Sequence, residues 1–198
     1  DFIFLIGKSG SGKTTLMQLI YMDKIPTSGE ISFLDYSSKT IKSKEIPFIR
    51  RKIGVIFQDF KLLNDRTVYE NLEFVLQVTE TKTKGIKKKI INALSDVGLT
   101  HKQNNYPNEL SGGEKQRIAI ARAIINDPVL ILADEPTGNL DPETSEEIMG
   151  ILKKINLRGT AVICATHNYD LVKRIEGKIL KLSNGTAAQV VIKKKTIQ

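Results

Sequence analysis

Nine residues near the start of this chain restrict its fold more than anything that follows. Gly7-Lys-Ser-Gly-Ser-Gly-Lys-Thr-Thr15 comes directly after an apolar run, Phe2 to Ile6, and leads into a helical pattern from Thr14. The spacing fits G-x-x-x-x-G-K-[ST] through Gly7, Gly12, Lys13 and Thr14. The order is buried strand, glycine-rich loop, helix start. Glycines at 7, 10 and 12 let the backbone turn tightly and come close to a ligand. Successive backbone N–H groups and the helix N-terminus then face an anion. A nucleotide phosphate suits that field. Lys13 is placed to reach the β- and γ-phosphates, and the Thr14 hydroxyl to ligate Mg²⁺. Gly7, Lys8, Ser9, Gly10, Ser11, Gly12, Lys13, Thr14 and Thr15 are therefore the candidate nucleotide contacts. The bland alternative is an ordinary glycine-rich turn between a strand and a helix.

The rest of the chain alternates strand and helix. Strand patterns are expected at Glu30 to Leu34, Ile53 to Phe57, Val129 to Ala133 and Thr160 to Ala165. Val129 to Ala133 is apolar throughout, as in a parallel strand buried on both faces, and Thr160 to Ala165 again reads as a buried strand. Between about 67 and 102, apolar residues recur at helical spacing (Val68, Leu72, Val75, Leu76, then Ile86, Ile90, Ile91, Leu94), which predicts a helical insert closed near Pro107. Further helices are expected from Glu114 to Asn126 and from Asp141, as N-cap with Pro142 at the first position, to about Asn156. A short helix follows, and Gly177 to Leu182 and Thr186 to Ile192 flank a hairpin turn at 183–185. The fold class is α/β: a mostly parallel core sheet flanked by helices, with a helical subdomain.

The chain has 198 residues and a net charge of +8. No apolar run is long enough to span a bilayer, and no signal peptide is visible. The single cysteine, Cys164, lies in a buried-strand pattern and reads as a small core residue. Lysines cluster at 87–89 and 193–195. They read as a solvated face and a loose tail. Anionic lipid would add roughly 1 kcal/mol per lysine near the surface, which assists docking without anchoring. No aromatic-interleaved basic patch marks a nucleic-acid surface, so no nucleic-acid partner is expected.

The chemistry collects at strand ends. Asp134-Glu135 closes Val129 to Ala133, where ligands of open α/β sheets bind. Asp134 is placed to hold Mg²⁺ through water, and Glu135 to polarise the water that attacks a γ-phosphate. Gln58 follows Ile53 to Phe57 and can ligate Mg²⁺ or the attacking water. His167 follows Thr160 to Ala165 and can donate to the γ-phosphate. Leu110-Ser111-Gly112-Gly113-Glu114 opens a helix and makes a second anion-binding end. One nucleotide already has its cradle at 7–15, so a second anion site points to two chains sharing nucleotides. Each element alone has a plainer reading, a polar strand end or a glycine-rich helix start. Their convergence argues against it.

This ensemble resembles the ATP-binding-cassette (ABC) ATPases, a branch of the P-loop NTPases. Gly7 to Thr15 looks like Walker A, Gln58 like the Q-loop glutamine, and Leu110 to Arg117 like the family signature. Val129 to Glu135 looks like Walker B with its catalytic glutamate, Gly138 to Asp141 like the D-loop, and His167 like the switch histidine. The stretches 45–60 and 62–71 are similar to the bacterial cell-division members of the family. The lipoprotein-releasing and macrolide-exporting members share much of that region.

The resemblance implies a single ABC domain over 1–198, with a RecA-like core at 1–66 and 128–198 and a helical subdomain at about 67–127. It implies ATP and Mg²⁺ as cofactors, with Thr14, Gln58 and Asp134 at the metal and Glu135, His167 and Gln58 in catalysis. It also implies a head-to-tail homodimer in which Ser111, Gly112, Gly113 and Glu114 of one chain meet the nucleotide of the other, with the D-loop Asp141 nearby. The expected setting is the cytoplasmic face of the bacterial inner membrane, beside an FtsX-like transmembrane partner. The alternatives are a lipoprotein-release or macrolide-export ATPase and, further off, a soluble nucleic-acid-associated ABC ATPase.

One departure stands out. Family members carry an N-terminal strand pair of an antiparallel subdomain and an adenine-stacking aromatic, and both are expected to be missing from a sequence that opens at Asp1. At roughly 1–3 kcal/mol for stacking, ATP binding would weaken by about 5- to 150-fold. The hairpin at 183–185 is expected to lack its sheet partners.

Overall fold

The computed structural model describes residues 1–79 and 84–191. The lysines at 193–195 and the Ile192 end of the expected last strand lie outside the described residues.

Strand periodicity builds three layers. In β1 (Phe2–Ile6), Phe2, Phe4 and Ile6 join one core, while Leu5 joins another. In β5 (Leu130–Asp134), Ile131 and Ala133 go to the first and Leu130 and Leu132 to the second. In β6 (Ala161–Thr166), Val162 and Cys164 face the first and Ala165 the second. Side chains alternating across a sheet covered on both faces produce this split. The first core packs against α6 (Pro142–Leu157) through Ile148 and Leu152. The second packs against Met17 of α1 (Lys13–Ile20) and Ile49 of α2 (Ile46–Arg51).

Among the described residues the main sheet runs β4-β5-β6-β1-β7-β8, with β4 at Ile53–Ile56, β7 at Lys178–Ser183 and β8 at Thr186–Val190. All pairings are parallel except β7 with β8. The carboxyl ends of β4, β5, β6 and β1 therefore share one edge, which is where a ligand belongs in such a sheet.

Beside this sheet, α3 (Val68–Val78), α4 (Ile86–Asp96) and α5 (Gly112–Ile124) pack together. Leu72, Leu76, Ile90, Leu94 and Ile118 are fully buried there. Truncating one of them to alanine would cost about 2–5 kcal/mol. Lys87 and Lys88 are exposed on α4, whereas Lys89 pairs with Asp127 at 2.9 Å.

Four expectations change. The strand expected at Glu30 to Leu34 shrinks to β2 (Ser32–Phe33), paired with β3 (Tyr36–Ser37) in a separate small sheet. Leu34 instead turns the chain at φ 51°. Helix α2 has no counterpart in the sequence pattern, because six residues are too few to display a helical period. Helix α5 starts two residues early, because Ser111 caps it: Ser111 Oγ accepts from Glu114 N–H at 3.2 Å, and Glu114 Oε2 accepts from Ser111 N–H at 2.9 Å. Finally, the hairpin does have a sheet partner. Strand β7 lies parallel to β1, from Ile3 opposite Lys178 to Ile6 opposite Lys181, and Ile179 is buried. Its turn is as expected, with Asn184 and Gly185 both at positive φ, 51° and 75°.

Candidate active site

The glycine loop between β1 and α1 takes its shape from its glycines. Gly10 and Gly12 sit at φ 76° and 98°, a region side chains disfavour. The loop folds back on Lys13. Its Nζ donates to Gly7 O at 3.0 Å and to Lys8 O at 3.4 Å, and the residue is only 9% exposed. Ser11 Oγ is buried within the same loop and has no hydrogen-bond partner among the described residues, an unmet polar group in a turn of the pattern expected to bind phosphate.

Three strand ends meet this loop. Thr14 Oγ1 donates to Asp134 Oδ2 at 2.8 Å, joining the start of α1 to the end of β5. Glu135, one residue on, sits in the left-handed region at φ 47°. Strain of this kind costs about 1–3 kcal/mol and persists where the surroundings impose it. Here Glu135 N–H donates to Ala165 O at 3.0 Å, and Glu135 O accepts from Gly138 N–H at 3.0 Å. The turn aims the carboxylate between two groups. Oε1 lies 3.8 Å from Lys13 Nζ and Oε2 lies 3.0 Å from His167 Nδ1. The His167 N–H also donates to Oε2, at 3.3 Å. The glutamate is 13% exposed, the imidazole 67%.

A cavity of about 460 Å³ opens between these groups. The loop lines it with Ser9, Gly10 and Gly12 to Thr15, and the strand ends with Gln58, Asp134, Glu135 and His167. The structure thus gathers the loop, Gln58, Asp134, Glu135 and His167 in one place. Lys8 contributes its carbonyl to Lys13 while its side chain faces solvent. Thr14, Asp134 and Gln58 are a hydroxyl, a carboxylate and an amide. This hard oxygen set is of the kind Mg²⁺ takes alongside substrate phosphates.

Ser111 to Glu114 and Asp141 are not in that cavity. Within the chain the first stretch packs on the second: a Cβ on Gly112 would lie 3.4 Å from Leu140 Cδ2, and one on Gly113 2.5 Å from Thr144 Cγ2. Both stretches are helix caps. Ser111 N–H holds the Glu114 carboxyl below its usual value, although partial burial opposes this. Thr144 does the same for Asp141, which accepts from Thr144 Oγ1 at 2.6 Å and from Thr144 N–H at 2.9 Å. Ser111 and Gly112 are exposed, and the N-terminal end of α5 does not line the chain's own loop cavity. Beneath the site, burial pushes the Cys164 thiol far up, so it stays a neutral core group.

One side chain at this edge does not stand out in the sequence. Arg122 of α5 donates to the carbonyls of Phe60 and Lys61, just after Gln58. The available signal is a lone arginine inside the apolar run Ile118 to Ile125.

Comparison with known proteins agrees with this geometry. The ABC transporter family matches residues 1–138. The cell division ATP-binding protein FtsE of Bacillus subtilis is 49% identical over 185 residues, spanning 93% of this chain and 81% of that protein. FtsE of Mycobacterium tuberculosis is 47% identical over 93% of this chain and 80% of its own length. Among solved structures, a dimeric ATP-binding cassette in a post-hydrolysis state, bound to ADP and Pi, superposes with a TM-score of 0.83 at 36% identity, covering 96% of this chain and 85% of that one. A strand-end cavity that joins a phosphate loop to a carboxylate pair, in a chain with these relatives, has one assignment: the chain belongs to the ABC transporter family of ATP-hydrolysing cassettes.

Proposed function

We propose that this chain is the ATPase subunit of a membrane complex acting in bacterial cell division, and that ATP drives two copies together head to tail. The observation that carries the ATPase part is the single cavity holding Lys13, Thr14, Gln58, Asp134, Glu135 and His167. The cell-division part rests on the identity with the FtsE proteins. In this reading 1–66 and 128–198 form the core and about 67–127 the helical subdomain.

Gly7 to Thr15 binds the phosphates, and Lys13 turns from Gly7 O and Glu135 toward the γ-phosphate. Thr14, Asp134 and Gln58 would hold Mg²⁺, which when bound would neutralise phosphate charge. Glu135 orients the attacking water and accepts its proton. His167 keeps the carboxylate aimed and donates to the γ-phosphate as charge develops. Ser111 to Glu114 of the second chain close over the nucleotide, with Asp141 beside them at the dimer contact. The exposure of Ser111, Gly112 and Asp141, and the absence of this stretch from the lining of the chain's own cavity, support this role.

No helix among the described residues is long and apolar enough to cross a membrane. In this reading, attachment at the cytoplasmic face of the inner membrane runs through an FtsX-like transmembrane partner. A groove of about 1110 Å³ beside Gln58 supports its docking. Pro47, Phe57, Val75 and Val78 line it, and Phe48 is exposed nearby.

Mixing two inactive variants tests the composite site. Lys13→Ala breaks one cradle and Ser111→Arg one closing end. In a two-fold dimer each site takes one part from each chain, so an equimolar mixture holds about one intact site in four. Recovery of ATP turnover toward that fraction supports the shared site, and no recovery refutes it. Purification from membranes tests the partner: Phe48→Asp with Val78→Asp should abolish recovery of the transmembrane subunit. Unchanged recovery would exclude the groove as the docking surface.

A further inference from the structure

The loop after Gln58 holds two consecutive non-glycine residues in the left-handed region, Phe60 at φ 58° and Lys61 at φ 49°. A pair like this persists only where surrounding structure imposes it. Arg122 of α5 supplies that constraint. Its Nη2 donates to Phe60 O at 2.7 Å and its Nη1 to Lys61 O. Among the described residues, no carboxylate lies within ion-pair distance of Arg122, so the guanidinium fork is committed to these carbonyls. Burial disfavours its charge, and the nearby Asp59 counters this.

Farther along, Asn71 of α3 completes the fastening. Its Oδ1 accepts from Leu63 N–H at 2.8 Å, and its Nδ2 donates to Leu63 O, Arg66 O and Thr67 O at 3.0, 3.1 and 2.9 Å. From Phe60 to Thr67 the connector is therefore tied to the helices. Phe57, Gln58 and Asp59 are left as the joint to β4.

The far end of α5 carries the Ser111 cap, about 16 Å from Arg122 at 1.5 Å per residue. Next to Arg122 the helix rests on β4 itself: a Cβ on Gly54 would lie 2.4 Å from Ala123 O. Helix α5 thus runs from Ser111 at one end to a contact with β4 at the other, where Arg122 grips the Gln58 loop.

We propose that Arg122 is a positioning residue that fastens the Gln58 loop to α5, so that movement of the Ser111 end reaches Gln58. The proposal rests on the reading of Gln58 and Ser111 given above. Arg122→Met keeps the length and removes the fork. Hydrogen exchange of the amides at 59–62 should rise about tenfold or more in the nucleotide-free protein, while exchange at 7–15 stays unchanged. ATP turnover at saturation should fall about 10- to 100-fold from misplacement of Gln58, with KM within about twofold. The same substitution in a Gln58→Ala background should have no further effect on turnover, because Arg122 acts through that residue. Arg122→Lys, which can serve one carbonyl, should fall between. It carries the same measurements if the methionine variant does not fold.

Unchanged exchange at 59–62 would overturn the clamp. A turnover loss that persists in full on Gln58→Ala would overturn the coupling. If Gln58→Ala alone leaves turnover intact, the reading of Gln58 fails, and the exchange measurement still decides the clamp.

Discussion

Replacing Glu135 by glutamine separates two roles of one carboxylate. The substitution keeps the shape and leaves an amide beside His167. It removes the proposed base and the negative charge. Loss of a positioned general base costs about 10²–10⁴ in rate, or roughly 3–5 kcal/mol in the barrier. The charge term has the opposite sign for binding. Glu135 Oε1 stands 3.8 Å from Lys13 Nζ, where Coulomb's law gives about 1 kcal/mol at the dielectric of water and about 4 at an effective dielectric near 20. ATP must compete with that pairing and approach a carboxylate of its own sign. The cavity is open to solvent, so the low end applies: about 1–2 kcal/mol, or ATP bound roughly 5- to 30-fold more tightly.

The assay pairs single-turnover hydrolysis with calorimetric titration of one non-hydrolysable ATP analogue into both proteins. Light scattering adds the third readout: Glu135→Gln with ATP should accumulate as a dimer. Hydrolysis at the wild-type rate would show that Glu135 is not the base. Weaker analogue binding would refute the charge argument even if hydrolysis fell as expected.

Other outcomes follow from the same geometry. Thr14→Val deletes the hydroxyl that meets Asp134 at 2.8 Å. The Mg²⁺ dependence of turnover should move to about tenfold higher metal, at about 1.4 kcal/mol per decade; an unmoved curve would exclude Thr14 as a ligand. Gly54→Ala drives a methyl into Ala123 O. It should cost about 1–3 kcal/mol, lowering Tm by roughly 2–4 °C per kcal/mol for a chain this size, and an unchanged melt would mean α5 moves freely on β4. Glu114 has its carboxyl pulled below the usual 4.5 by Ser111 N–H. Its contribution is therefore present above that value and lost as pH falls through the lower folded-state value. Glu114→Gln should melt earlier than wild type at pH 7 and converge with it in acid; curves that stay parallel would rule this out.

Much of the site is legible in the sequence alone, for a reason particular to its chemistry. Phosphate recognition uses backbone N–H groups, so it needs glycines at fixed offsets beside a lysine. Those residues are contiguous at 7–15. Gln58, Asp134-Glu135 and His167 are legible because each terminates an apolar strand, and parallel strands put such ends on one edge. The Asp141-Pro142 cap is legible too, whereas the start expected at Glu114 passes over the capping box of Ser111 and Glu114, also a local signal. The short elements are not. Strands β2 and β3 and helix α2 are set by burial of residues such as Phe33 and Ile49 against the second core rather than by a periodic pattern.

The sequence by itself determined the local patterns: a loop with the phosphate-binding spacing, a carboxylate pair behind an apolar strand, and a glycine-led helix start. Tertiary structure decided which of these meet. It set β1 beside β6 and β7, turned Glu135 through a left-handed residue toward both Lys13 and His167, and left Ser111 outside the lining of the chain's own cradle. It also gave Arg122 its partners more than sixty residues away, at Phe60 and Lys61. Capping and loop formation depend on neighbours along the chain, whereas pairing a guanidinium with distant carbonyls depends on how helices settle on a sheet. That settling is fixed by burial summed over the whole core.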